Sequence, residues 1–600
     1  MKIRSLVSVI VLGMISVMGP LYSQGDIQAI DKYVTAWNKA GRFNGCVLLA
    51  EMDKVLFKKG FGYADFEHNI PNRSEVKFNI GSISKQFTTA LVFQLIEEGL
   101  LKLDGRIGDY LPDYRADTGR IVTIDHLLRH MSGLPCYLRD YKRQSGDDFR
   151  LPFPGWKHFQ RGQLVKDHLS GDLQFPPGSR YSYSNSNFYL LYLIIEKVTG
   201  KSLEQNLSER LFIPLGLKSS GLLDDFQIVD NRACGYNKTP IGYLHAKYTY
   251  APNTYGAGSL VSTVEDLFVW NRALRSGRVL PERWQEKMLT PYHNQGPDLK
   301  HAYSIDYHTI RPPFVPEPLE YTSFNGALSG FITDAFVFPA TDHTIILFDN
   351  SEEFSHAAMA LGLYGILRGE AVDYPKPLAA HLVGEIAVKD GIDRACEVYQ
   401  DLKRNQRKEY EFNSFKDVLS DQGYLLADAG RADEALAVFR LIAKIDPNWP
   451  DAANDLGRVY QRFGEADLAR EARQKAEKLK ATLEQIYSSL MNGEGEKAMA
   501  TVERMQKETP GDTLFESSRI GPIYADQLAK GKINESIQTC KVWALGNPED
   551  VGPYFSLAII YRQMGKKDEA KKCLEKILQL DPAGRNAPVA RMRMAELQNK

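Results

Sequence analysis

Ser82-Ile83-Ser84-Lys85 sets a hydroxyl and an amine three residues apart, just where an apolar, helix-like run begins. A serine in the first turn of a helix lies near unsatisfied backbone N–H groups and the positive end of the helix dipole, where a developing oxyanion is stabilised. Three residues on, a lysine lies one turn away on the same face and can reach the serine oxygen. To act as a base it must shed its proton, so its pKa has to fall from about 10.4 towards neutrality through burial or nearby positive charge. The same spacing recurs at Ser74-Glu75-Val76-Lys77, so spacing alone does not choose between them. Context does. Ser74 sits in the polar stretch PNRSEVKF, which reads as a loop before a strand, whereas Ser82 follows Gly81 and opens a run with Phe87, Leu91, Leu95 and Ile96 on one helical face. The competing reading is a helix-capping serine followed by a solvated lysine.

A second constellation lies about one hundred residues later, in FPPGSRYSYSNSNFYLLYLIIEKVTG. Tyr183-Ser184-Asn185 places a phenol and an amide two apart, just before a helical run. A phenol can relay a proton between nucleophile and leaving group if a neighbouring lysine lowers its pKa, and an amide can hold both a substrate carbonyl and the lysine. Competing sites are thin. The chain has no Gly-x-Ser-x-Gly elbow, which argues against a Ser-His-Asp hydrolase of the α/β kind. His126 and His130 fall four apart in DHLLRH, but no glutamate or third ligand accompanies them, so they read as packing residues and no metal is expected.

In this order and spacing the two sites resemble the serine hydrolases that include class C β-lactamases, D-alanyl-D-aminopeptidases and carboxypeptidases, and related esterases. The likeness runs through nearly all of residues 30–370, with further marks in GLLKLDGRIGDYLPDY at 99–114, IVTIDHLLRHMSGLP at 121–135 and GAGSLVSTVEDLFVW at 256–270. The resemblance implies that Ser82 is the acylated nucleophile, Lys85 and Tyr183 the proton-transfer pair, and Asn185 a ligand of substrate and lysine. A third motif of that family, Lys-Thr-Gly or His-x-Gly, aligns with Phe324-Asn325-Gly326-Ala327. Gly326 fits, because a side chain there would obstruct the substrate, and the Ala327 and Ser82 N–H groups would form the oxyanion hole. Phe324 departs from the pattern. Where the family has a cation or hydrogen-bond donor, phenylalanine offers packing and a quadrupole face, leaving a substrate carboxylate unpaired. The expectation is retained acyl transfer with a weakened preference for β-lactam or D-alanyl carboxylates and relatively more for neutral esters or amides. The rival is a catalytically weak domain in a scaffold protein.

The elements that must hold these residues fall into two regions. Residues 25–370 mix β-like runs (GCVLLAEM, DAFVFP, TIILFDN) with helical periods, the texture of an α+β or α/β domain; the resemblance implies the β-lactamase/transpeptidase-like fold, α+β, an antiparallel sheet flanked by helices. The proline-bearing stretch GEAVDYPKPLAA at 369–380 then marks a boundary. From about 416 the chain repeats with a period near 34: Leu419, Gly423, Leu426, Gly430, Ala435 and Phe439 return as Ala453, Gly457, Tyr460, Gly464, Ala469 and Arg473, and the same grammar reappears with Leu557, Ala558, Tyr561, Gly565, Ala570 and Leu574. This resembles the tetratricopeptide repeat. An all-α array over 376–600 is expected, begun by a degenerate pair containing Ala395 and Tyr399, with a concave face suited to a protein or peptide ligand.

Length and charge bound the rest. Six hundred residues exceed one ordinary core. With 74 basic against 75 acidic residues, no net charge draws nucleic acid or an anionic membrane. MKIR, the apolar run LVSVIVLGMISVMGPL and YSQG have the layout of a signal peptide over residues 1–24, implying an exported, periplasmic or secreted protein not held in the membrane after cleavage. Cys46, Cys136, Cys234, Cys396, Cys540 and Cys573 are scattered and read as small buried residues rather than a disulfide framework. The chemistry requires no cofactor, and the expected partner is a small-molecule or peptide acyl substrate.

Overall fold

In the computed structural model, which describes residues 24–138, 157–310, 318–351, 356–412, 414–509, 514–515, 517–581 and 587–598, the run GCVLLAE forms strand β1 (Gly45–Glu51). The leader expected over residues 1–24 lies outside the described residues, save for Gln24. Side chains alternate along a strand, and here both faces are buried: Cys46, Leu48 and Ala50 join one apolar cluster, Val47 and Leu49 the other. β1 therefore lies inside its sheet with helices on both sides, which is why the run is apolar throughout rather than alternating.

Among the described residues the sheet has eight strands. After β1 come β2 (Lys54–Phe61), β3 (His293–Asn294), β4 (Leu299–Ala302), β5 (Ile305–Ile310), β6 (Leu319–Leu328), β7 (Phe331–Phe338) and β8 (His343–Asp349). They pair antiparallel in the spatial order β3-β4-β5-β6-β7-β8-β1-β2. The first and last of these strands in sequence, β1 and β8, pair next to the β2 edge, where Gly45 faces Asp349 and Glu51 faces His343. One face is covered by α1 (Gln24–Lys39) and a helix near the domain's end, Ala357–Leu367, through Ile30, Val34, Met359 and Leu363. The other is covered by α2 (Ser84–Glu97), α3 (Asn185–Thr199) and α4 (Val264–Arg275). The active-site candidates lie on this second face.

α2 is buried on all sides, including Ser84, Lys85, Gln86, Thr88 and Thr89. Its polar atoms find partners in the packing: Gln86 Nε2 donates to Ser304 O and Gln86 Oε1 accepts from Trp270 Nε1, at 3.0 and 2.9 Å. The amphipathic period read from Phe87, Leu91 and Leu95 thus covers only part of what the helix buries.

Antiparallel helix pairs follow: Ala379–Lys389 with Ile392–Asn405, Phe415–Asp428 with Ala432–Ile445, Pro450–Arg462 with Ala466–Met491, Ser517–Ala529 with Ile533–Gly546, and Val551–Gln563 with Lys567–Leu580. The turns of four pairs carry a glycine in the left-handed region, Gly430, Gly464, Gly531 and Gly565, at φ between +72° and +85°. Gly423 lets its helix approach the Phe439 ring, where a Cβ would come within 2.6 Å. Ala466–Met491 runs for 26 residues, longer than a repeat helix, because no glycine or proline interrupts its Ala/Glu/Lys/Leu-rich sequence. The array docks on the first region through a hairpin, Tyr236–Thr239 with Gly242–His245, whose neighbours Ile241 and Leu244 join the apolar cluster of Val383 and Leu419. Lys238 Nζ donates to Gly41 O at 2.9 Å and lies 2.8 Å from His381 Nδ1. All six cysteines are free thiols; Cys46, Cys136 and Cys540 are buried, and Cys234, Cys396 and Cys573 only partly so. No described helix is long and apolar enough to cross a membrane.

Candidate active site

Ser82 sits in a tight 3-10 turn, Gly81–Ile83, that leads directly into α2. Two glycines press this turn against β6. Gly81 has φ +48°, and a Cβ on it would lie 2.7 Å from Ala327 N; a Cβ on Gly326 would lie 1.9 Å from Ile80 O and 2.9 Å from Ser82 N. The Ser82 and Ala327 N–H groups are thereby brought side by side, the pair expected for an oxyanion hole. β5 stops pairing with β6 at Asp306↔Ser323, so among the described residues the cleft-side edge of β6 from Phe324 to Leu328 has no partner strand.

Lys85 is fully buried one turn into the helix. Its Nζ donates to Ser82 Oγ at 3.0 Å, Asn185 Oδ1 at 2.9 Å and Ala257 O at 2.6 Å. All three acceptors are neutral, so burial prevails and pushes the lysine pKa down to about 7. Ser82 Oγ also lies 2.7 Å from the Tyr183 hydroxyl. Nucleophile, amine and phenol therefore form one connected set. The competing motif does not: Ser74 Oγ donates to Glu75 Oε1 at 2.6 Å on the surface, before the short strand Phe78–Asn79.

Asn185 is the first residue of α3, and its backbone N–H and Nδ2 both donate to Cys136 Sγ at 3.4 Å, fixing the amide with Oδ1 towards Lys85. His130, read from sequence as a packing residue, has a more specific place. It is 5% exposed at φ +54°, its ring stacks on Tyr183 at 4.4 Å, and its Nδ1 accepts from the Ser184 N–H at 3.1 Å. It thus holds the phenol from beneath. His126 instead helps to cap the short helix Ile124–Leu128, where its N–H donates to Thr123 Oγ1.

These groups open on a cavity of about 370 Å³ lined by Ser82, Tyr183, Asn185, Phe324, Asn325 and Ala327, and by residues that sequence reasoning missed: His130, Tyr181, Tyr292, His301 and Asp306 among them. Phe324 is 8% exposed and packs with the core of this face. Of these, His301 and Asp306 come from β4 and β5, and the cross-strand register of β3 and β4 stacks His301 and His293 nearly parallel to Tyr181 at 4.5 and 5.1 Å. The only local signal is His301 and Asp306 directly opposed across a two-residue hairpin.

The fold and site define a chain that brings a serine, a buried lysine and a phenol together beneath an open strand edge. It belongs to the β-lactamase family: residues 29–363 match the family described as Beta-lactamase, and residues 551–583 match that described as Tetratricopeptide repeat. It is 27% identical over 275 residues to "Putative penicillin-binding protein PbpX" of Bacillus subtilis, covering 45% of this chain and 65% of that one. It is 29% identical over 262 residues to "Teichoic acid D-alanine hydrolase" of Staphylococcus aureus, covering 44% and 58%. The match therefore spans under two thirds of either relative's length. A solved structure, the octameric penicillin-binding protein homologue from Pyrococcus abyssi, is similar with a TM-score of 0.49 and 23% identity, covering 60% of this chain and 81% of that one.

Proposed function

We propose that this protein is an exported serine hydrolase that works through an acyl-enzyme on Ser82. The observation that carries the reading is the shared contact of Ser82 Oγ with Lys85 Nζ and the Tyr183 hydroxyl. In the proposed sequence the Ser82 proton passes to the Lys85–Tyr183 pair as Oγ attacks an ester, amide or lactam carbonyl. The oxyanion is held by the Ser82 and Ala327 N–H groups, the leaving group departs with the proton, and water then releases the acyl group. Phe324 steers the substrate class away from carboxylate-bearing acyl donors and towards neutral esters or D-amino-acyl esters and amides. The name of the S. aureus relative, a D-alanine hydrolase, supports that class. The repeats are proposed to bind a protein or peptide.

The test is labelling by a fluorophosphonate and a fluorescent penicillin, with p-nitrophenyl acetate turnover, in wild type and Ser82→Ala. A covalent adduct and turnover that both depend on Ser82 support the reading. No adduct and no turnover would leave the scaffold alternative, which Phe324 favours.

A further inference from the structure

The charge of the cleft points to the substrate it holds. Among the described lining residues there is one carboxylate, Asp306, and no arginine or lysine; Lys85 lies behind Ser82, fully buried and bonded to three acceptors. His301 does not replace the cation missing at Phe324. It is 6% exposed, and both ring nitrogens are engaged, Nδ1 at 2.6 Å from Asp306 Oδ1 and Nε2 at 2.8 Å from Gln295 Oε1. No N–H of that ring is left for a substrate carboxylate.

Asp306 is differently placed. It is the residue at which β5 leaves β6, so it stands at the start of the open edge along which an extended acyl group would lie beside Ser82. His301 fixes one carboxylate oxygen; among the described residues Oδ2 is unengaged, and the side chain retains 29% exposure. Tyr181, Tyr292 and Phe324 line the same cavity. A carboxylate oriented from one side, in a cavity that it shares with aromatic side chains, suits an ammonium group, which gains a charge-assisted hydrogen bond and cation–π attraction.

We propose that Asp306 is a specificity residue that binds an unsubstituted amino group on the acyl part of the substrate, so that the enzyme acts on free-amine aminoacyl esters or amides rather than N-acylated or carboxylate-terminated ones. This rests on the Ser82 acyl-transfer reading. The test compares kcat/KM for D-alanine p-nitroanilide and N-acetyl-D-alanine p-nitroanilide in wild type, Asp306→Asn and Asp306→Glu. Wild type should prefer the free amine by about 10- to 100-fold, the range of a hydrogen bond to a charged group. Asp306→Asn should lose most of that ratio, chiefly through KM, and Asp306→Glu should keep a substantial part of it. The ratio separates recognition from folding, because a damaged cleft would lower both substrates together. Equal turnover of the two in wild type, turnover of neither while p-nitrophenyl acetate is still hydrolysed, or an unchanged ratio in Asp306→Asn would overturn the proposal. No acetate hydrolysis and no label on Ser82 would instead remove the acyl-transfer reading, and this inference with it.

Discussion

Lys85 should govern both the pH dependence of activity and part of the protein's stability. With its pKa near 7, about half of the lysine is neutral at pH 7 and about three quarters at pH 7.5. An ordinary lysine would be neutral about one time in a thousand at pH 7.5. kcat/KM for p-nitrophenyl acetate should therefore rise through an inflection near pH 7 and level off above it, and Lys85→Arg, whose guanidinium keeps its proton, should fall at least about 100-fold. The same burial destabilises the fold. A lysine whose folded pKa is depressed makes its full unfavourable contribution below the folded value and loses it as pH rises towards the unfolded one. The penalty is about 4 kcal/mol at pH 7 and about 1 kcal/mol at pH 10. Lys85→Met removes it but leaves Asn185 Oδ1 and Ala257 O unpaired, at about 1 kcal/mol each, while Ser82 Oγ keeps its contact with Tyr183. The variant should be inactive, more stable than wild type by about 2 kcal/mol at pH 7, and less stable by about 1 kcal/mol at pH 10. Urea unfolding at the two pH values reads this directly. A flat pH–rate profile from 5.5 to 9, or a Lys85→Met variant less stable at both pH values, would refute the assignment of a neutral buried lysine.

Phe324→His should restore a hydrogen-bond donor beside the cleft and raise acylation by a fluorescent penicillin, relative to p-nitrophenyl acetate turnover, by about 10-fold. Gly326→Ala forces a Cβ against the Ile80 carbonyl, so thermal unfolding should show a loss of about 1–3 kcal/mol and acyl transfer should fall at least about 100-fold. His356 is buried 2.8 Å from Asp334 Oδ2 and 3.8 Å from Asp349 Oδ2. Burial alone would lower its pKa, but the two carboxylates prevail and raise it to about 9. That stabilisation, about 3 kcal/mol, is complete below pH 6.5 and is lost as pH rises through 9; denaturant midpoints for His356→Gln should lack this fall.

What the sequence made legible follows from how local each signal is. The Ser82–Lys85 contact is one helical turn, so the spacing together with the helical run that starts there foresees it, whereas the same spacing at Ser74 gives no such contact. The β1, β7 and β8 runs are apolar on both faces because helices cover both, and that shows in composition without any knowledge of pairing. Gly423 and Gly430 mark helix crossing and turn at a fixed period. His130 was legible only as a packing residue: its contact with Tyr183 spans more than fifty residues, and its positive φ has no sequence signature in a non-glycine residue. Ala257 was silent because its carbonyl, not its side chain, holds Lys85. Asp306 and Tyr181 meet at the cleft only through the register of β3 to β6. The long helix Ala466–Met491 escaped for the opposite reason, since a periodic array was expected to break where this sequence does not.

Strand β6, which carries the proposed oxyanion-hole residue Ala327, and the repeat array share one support. β6 ends at Leu328, one residue beyond Ala327, and turns through Ser329 and Gly330 at φ +44° and +85°. That turn packs on the base of the docking hairpin: a Cβ on Gly330 would lie 2.5 Å from Tyr236 N, one on Gly235 would lie 2.4 Å from Ser329 O, and Thr249 Oγ1 bonds Ser329 Oγ at 2.5 Å. The hairpin is held by the array, through Ile241 and Leu244 in its apolar cluster and, just past its base, an ion pair between Lys247 and Asp428. Apolar packing of this kind fixes orientation as a flexible tether could not. The Ala327 N–H consequently lies two residues from a turn whose position depends on the hairpin. A shift of the hairpin by a few tenths of an ångström would have to be absorbed by close backbone contacts at Gly235 and Gly330, or passed to the strand that carries the proposed oxyanion-hole residue Ala327.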